Sequence, residues 1–111
     1  MSGRKSRSKG LRGERHLVNY LQEHGFSALR IPLSGASKGF KGDVTTPLLG
    51  IDRKLEVKCR ADGFRELYGW LNDNFALVLK ADRRETLVVL RLRDGVEIAK
   101  KAEGQRSGTH P

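Results

Sequence analysis

The chain has 111 residues, room for one compact domain that buries roughly two-thirds of its unfolded surface. Hydrophobic residues at 37% beside 32% charged exclude a disordered chain, because there is enough apolar material for a core under a charged surface. The 22 Lys and Arg against 13 Asp and Glu leave a net charge of +9, which favours a polyanionic partner, nucleic acid first, while the lack of a long apolar run, a basic amphipathic helix or a lipid anchor argues against a membrane.

Residues 1–10 carry Arg4, Lys5, Arg7 and Lys9 among Ser and Gly. Such a composition buries little, so a flexible basic arm that follows phosphates is expected, and with no apolar residue between Met1 and Leu11 it does not read as a transit peptide. From about Leu11 to His24, Leu17, Val18 and Leu21 recur at helical spacing, and Gly25 stands where a helix stop belongs. Glu14 lies three, four and seven residues before them and so shares their face, an expensive place for a carboxylate unless it is paired or bound to a metal. Phe26 to Ile31 reads as a short strand ended by Pro32, and Leu33 to Gly42, rich in Gly and Ser, as a loop.

Asp43 to Thr46 and Leu48 to Ile51 read as extended, interrupted by Pro47, with a turn near Asp52. Lys54 to Arg60 reads as a strand in which Leu55, Val57 and Cys59 face one way and Glu56 and Lys58 the other. Cys59 is the only cysteine, which excludes an internal disulfide and a Cys-rich zinc site and fits a reducing compartment. Asp62 is a plausible N-cap for a helix bearing Phe64, Leu67, Tyr68 and Leu71 and ending near Asn74, with Trp70 beside the apolar stripe and read as an interface aromatic. Phe75 to Lys80 and Thr86 to Leu92 read as well-covered strands, Asp94-Gly95 as a turn, Val96 to Ala102 as a short helix or strand, and residues 103–111 as a flexible tail. The order α-β-β-β-α-β-β points to an α/β domain over residues 11–102, with a central mixed five-stranded sheet flanked by helices.

Glu56 and Lys58 sit two positions apart on one strand, with Cα atoms about 6.5–7 Å apart on one face. Asp43 precedes Glu56 by enough chain for an antiparallel turn to bring the two carboxylates together, where they repel unless a cation lies between them. Mg²⁺ or Mn²⁺ suits such oxygen donors, and in phosphodiester hydrolysis the ion polarises the phosphate and activates water while an ammonium such as Lys58 offsets developing charge. Glu14 adds a third carboxylate. Arg12, Arg30, Lys38, Lys41, Arg53 and Arg60 lie near these positions in the chain and, with the four cations of the arm, are candidate phosphate contacts.

The segment GERHLVNYLQEHGFSALRIPLSGASKGFKGDV, followed by KLEVKCR, resembles the archaeal Holliday junction resolvases and their bacterial and phage relatives among the PD-(D/E)XK nucleases, over about Gly10 to Leu92. The matching elements are Glu14 on a helix, Gly25-Phe26 before a strand, the Ser34-Gly35 loop, Asp43 opening a strand, and Glu56-x-Lys58; Gly42 stands where the family name has Pro. The resemblance implies a restriction-endonuclease-like fold, a metal held by Asp43, Glu56 and the Val57 carbonyl, with Glu14 a further candidate ligand, and catalytic roles for Glu14, Lys58 and Ser34. It also implies a homodimer that makes paired cuts in branched double-stranded DNA. The expected function is therefore a Mg²⁺-dependent (or Mn²⁺-dependent) endonuclease resolving four-way junctions, cytoplasmic beside the nucleoid or phage-encoded and acting in the host cytoplasm. The rival expectations are another nuclease of this superfamily serving repair, restriction or phage DNA processing, and a basic DNA-binding module without catalysis.

Overall fold

The computed structural model describes residues 2–31 and 43–108, with side chains over 9–31 and 43–104. Its elements run α1 (Ser2–Glu23), β1 (Leu29–Arg30), β2 (Val44–Leu48), β3 (Ile51–Leu55), α2 (Arg65–Leu71), β4 (Ala76–Leu79), β5 (Leu87–Leu90) and α3 (Leu92–Gly108). The chain is a mixed α/β protein in the order read from the sequence, with a third helix added at the end. The described residues divide into two compact units, one up to Cys59 together with those from Glu103, the other Arg60–Ala102.

In the first unit α1 begins at Ser2, nine residues before the helix expected from Leu11, so the helix takes in most of the segment read as an arm. Helix propagation costs little once a nucleus exists, and the buried Val18 and Leu21 supply that nucleus. The expected stop holds: Gly25 has φ +91°, with Phe26 N–H donating to Leu21 O (2.9 Å) and Gly25 N–H to Gln22 O (3.1 Å), the two bonds of a Schellman close. The Gln22 amide then donates to Ala28 O at 2.9 Å and ties the helix to the strand that follows.

β1, β2 and β3 form an antiparallel sheet in that order, with Arg30 opposite Val44 and Val44 opposite Leu55. The turn lies at Leu49-Gly50 rather than near Asp52: both residues have positive φ, 55° and 89°, closing a two-residue hairpin between Leu48 and Ile51. Pro47 does not interrupt β2. It sits opposite Asp52, beyond the two residues over which β1 flanks β2, so no ladder on that side asks for its missing N–H. Val18, Leu21, Ala28, Ile31 and Val44 make the buried core, with Thr46 the buried polar residue among them.

In the second unit β4 and β5 form a separate two-stranded antiparallel sheet, Ala76 opposite Leu90 and Leu79 opposite Leu87. The single five-stranded mixed sheet expected from the sequence is thus replaced, among the described residues, by sheets of three and two strands whose ladders are all antiparallel. Each ladder joins strands adjacent in sequence, the pairings with the lowest loop-closure cost, and no ladder joins β3 to β4. For the same reason β4 and β5 are not well covered: Val78, Leu87 and Val88 are exposed.

Asp62 does not cap α2 through its side chain. The cap position is Phe64, and the Asp62 carboxylate instead takes the Arg65 guanidinium at 2.8 Å. Arg91 donates to Asn74 O (3.0 Å) and to Asn72 O, fastening the turn after α2 to the end of β5. Asp94-Gly95, read as a turn, lies in the first turns of α3, where an acid suits the helix dipole. α3 continues through Gly108, into residues read as a flexible tail; within the first unit, the Glu103 carboxylate accepts a hydrogen bond from Leu49 N–H, which anchors that part of the helix.

Candidate active site

The site is built on the open end of the β2–β3 hairpin. One step past the last ladder pair, Val44 with Leu55, stand Asp43 and Glu56. Asp43 is bonded to the residues on both sides of Glu56: its N–H donates to Leu55 O, and its Oδ2 accepts from Val57 N–H, each at 2.8 Å. Its own carbonyl accepts from Ile31 N–H at 2.9 Å, so Asp43 is held from both flanking strands. The ladder itself ends at Leu55, short of the strand expected to Arg60, yet burial still alternates, with Leu55, Val57 and Cys59 half-buried and Glu56 and Lys58 exposed.

Lys58 Nζ and Glu56 Oε2 form an ion pair of 3.1 Å with both side chains more than half exposed. Such a pair contributes about 0–1 kcal/mol, so either partner is released readily to an ion or a phosphate.

Glu14 is only 18% exposed and is paired with Arg30, Oε1 to Nε, at 3.1 Å. The inward carboxylate inferred from helical spacing is therefore present, and its compensation is a guanidinium. Arg30 stands opposite Val44, next to Asp43, so this pair lies along the same strand end. What brings α1 there is Gly13: a Cβ at that position would overlap Cys59 Sγ and stand 3.4 Å from Val57 Cγ1. Helix and strand approach this closely because residue 13 has no side chain. Sequence reasoning placed Glu14 correctly on the apolar face but missed both the Gly13 seam and the Arg30 partner; the adjacent Gly13-Glu14 in an otherwise helical stretch was the available signal.

The remaining candidates scatter. Ser34, Lys38 and Lys41 lie outside the described residues, and Arg4, Lys5 and Arg7 fall within α1 but outside the residues whose side chains are described. Lys9 is half-buried and Arg12 exposed on the same helix. Arg53 donates from Nε to Leu48 O (3.0 Å), so it braces the hairpin. Arg60 is exposed and already engaged with a neighbour. No three His, Cys, Asp or Glu side chains among the described residues gather closely enough to form a metal cluster, so Glu14 does not join Asp43 and Glu56 in a three-acid group. The carboxylates of Asp43 and Glu56, both one step past the last ladder pair, and the Val57 carbonyl are nonetheless hard oxygen donors of the number that holds Mg²⁺ when it keeps several of its waters, so the donor set fits such an ion.

A family model for the archaeal Holliday junction resolvase (Hjc) matches residues 5–68, which takes in α1 from Lys5 onward, the three-stranded sheet, Glu56, Lys58 and the first four residues of α2 but stops short of the Leu92 to which the resemblance was traced. No curated protein and no solved structure matches the chain. No helix among the described residues is long and apolar enough to cross a membrane. With more than half of its length matched, and with Glu14, Asp43, Glu56 and Lys58 all inside the match, the chain belongs to the archaeal Holliday junction resolvase family of nucleases.

Proposed function

We propose that the chain is a divalent-metal-dependent, structure-selective DNA endonuclease that resolves four-way junctions by paired phosphodiester hydrolysis, acting as a homodimer with residues 11–102 as its catalytic domain. The observation that carries this reading is the Asp43 carboxylate bonded at 2.8 Å to the N–H of Val57, the residue between Glu56 and Lys58.

Asp43, Glu56 and the Val57 carbonyl would hold Mg²⁺ or Mn²⁺. When bound, the ion supplies positive charge to the scissile phosphate and eases deprotonation of water. Lys58, leaving its exposed pair with Glu56, neutralises charge that develops on the phosphate. Glu14, fixed by Arg30, orients the groups at the strand end, and the Ser34 hydroxyl contacts the phosphate. The basic residues of α1 follow the DNA backbone, which fits a chain of net charge +9. Branched DNA as substrate puts this work in the cytoplasm, of a cell or of a phage host. The dimer is supported by apolar area that the second unit leaves open: Tyr68, Phe75, Val88 and Ile98 are 75%, 62%, 60% and 49% exposed.

The test is cleavage of four-way, flapped and linear DNA by the purified chain across Mg²⁺ and Mn²⁺. The expected result is paired cuts in two strands of like polarity on the four-way substrate, lost in Asp43→Asn and Glu56→Gln while DNA binding persists. Preference for flaps or linear duplex would move the chain to another role within the superfamily. Tight binding without cutting in any metal would leave a DNA-binding module.

A further inference from the structure

The second unit carries an open groove of about 700 Å³ lined by Trp70, Leu77, Val78, Leu79 and Leu87, with the exposed Lys80 and Arg84 at its lip. Trp70 is 54% exposed. Neither the Lys80 ammonium nor the Arg84 guanidinium is in an ion pair or hydrogen bond among the described residues, Arg84 bonding only through its backbone N–H to Ala81 O. Glu85 is the one acid lining the groove, so the lip is net positive. Residues 80–88, which carry both cations, are exposed throughout.

We propose that this groove binds an unpaired nucleotide of the DNA substrate, its base stacked on Trp70 and its phosphates met by Lys80 and Arg84. The chemistry of the groove matches that ligand. A nucleobase offers a flat π-face that an indole takes whatever the sequence, and its backbone brings the anion that two uncompensated cations lack. The volume is within the range of pockets that enclose ligands of this size, roughly 300–1,000 Å³. A second copy of the chain fits less well, because a self-complementary contact here would set each net-positive lip against its equal. Read from sequence alone, Trp70 is an interface aromatic; the groove around it gives it a different partner. A branch point is where a duplex most readily surrenders a base from its stack, so this site would select branched over continuous DNA.

The inference rests on the reading of DNA as substrate and is separable from it by experiment. Trp70 is the only tryptophan, so intrinsic tryptophan fluorescence reports this groove alone. In metal-free buffer, oligothymidine and a four-way junction should quench it, and a blunt duplex should do so far less. By anisotropy of labelled DNA, Trp70→Ala should weaken oligothymidine binding on the order of tenfold, Trp70→Phe should retain most of the affinity, and Lys80→Ala with Arg84→Ala should flatten its salt dependence. Unchanged fluorescence at saturating DNA overturns the proposal, even if the wild type cuts junctions in Mg²⁺. So does a Trp70→Ala variant that binds oligothymidine as the wild type does but sediments at half the mass, which assigns the groove to a second copy. Quenching by DNA in a chain that cuts nothing would uphold the groove and defeat the nuclease reading instead.

Discussion

The two compact units bury their apolar side chains to very different extents. In the first, Val18, Leu21, Ala28, Ile31 and Val44 are buried and Ala28 and Val44 have no exposure at all; in the second, among the described residues, only Leu71 and Val96 are buried, while Phe75, Val78, Leu87 and Val88 are each about 60% exposed. A two-stranded sheet is marginal by itself in water, so a unit built on one gains most from being covered. The first unit needs no such help, because its hairpin, β1 and α1 close on one another. The lesson concerns function: the groups proposed for chemistry sit where the backbone is fixed from several sides, and the apolar and aromatic area proposed for partners sits where it is not.

The largest effects should come from breaking the first unit's chemistry without touching its packing. Asn at position 43 retains an oxygen for Val57 N–H, and Lys58 is exposed, so neither Asp43→Asn nor Lys58→Ala should disturb the fold. Each is expected to slow single-turnover junction cleavage by at least about 10²–10³-fold, with DNA affinity held within a few-fold, as measured by rapid quench beside anisotropy. Phe75→Ala in the second unit should leave the single-turnover rate at saturating enzyme unchanged and lower the sedimentation mass at a given concentration.

A matched pair of valines measures the packing contrast directly. Val44→Ala removes two methyl groups from a site with no exposure and is expected to cost about 2 kcal/mol. Val88→Ala makes the same chemical change at a site 60% exposed and should cost under about 0.5 kcal/mol. Urea unfolding of both variants is the check, and equal losses would mean that β5 is covered in solution.

The same contrast explains what the sequence disclosed. The facing of Glu14, Glu56 and Lys58 was legible because period-3.6 and period-2 patterns say which way a side chain points, the nearness of Asp43 to Glu56 because the chain between them is long enough for a hairpin, and Gly25 because a residue tolerant of positive φ closes a helix in that way. Pairing between strands was not legible: nothing in Val78 or Val88 says whether a neighbour will cover them, so apolar runs were read as central strands that the fold leaves at an open hairpin. Asp94-Gly95 misled because the dipeptide suits a turn and a helix start alike, and only the continuation to Gly108 decides between them. The Arg30–Glu14 pair depends on β1 lying beside α1, a tertiary fact with no local signature.

Gly13 tests how tightly the first unit is closed. Gly→Ala within a helix ordinarily stabilises by about 1 kcal/mol, but here the added methyl meets Cys59 Sγ, and overpacking costs about 1–3 kcal/mol. Gly13→Ala should therefore be neutral to destabilising by up to about 2 kcal/mol, and in a Cys59→Ala background the sign should reverse to a gain of up to about 1 kcal/mol. Thermal unfolding of the four proteins of this cycle reads the coupling. A loss that persists without the sulfur would place the strain at Val57, 3.4 Å away, instead.

Backbone conformation at single positions should give small effects in both units. Among the described residues Leu49, at 55°, takes a positive φ in the hairpin of the first unit, and Asn72, at 45°, and Arg83, at 60°, do so in the second. A positive φ costs most residues roughly 1–2 kcal/mol and asparagine less, so Leu49 is an unfavourable choice at its position and Asn72 a milder one. Leu49→Asn creates an Asn-Gly turn of the type that two-residue hairpins prefer, keeps the N–H that Glu103 accepts, and should raise stability by about 0.5–1 kcal/mol. Asn72→Leu should lower it by a similar amount, since its N–H to Tyr68 O (2.9 Å) holds the backbone where leucine is disfavoured. If Leu49→Asn gives no gain, the exposed leucine is repaid by contacts of its own; a loss on Asn72→Leu would then show that this holds for the hairpin and not for positive φ in general.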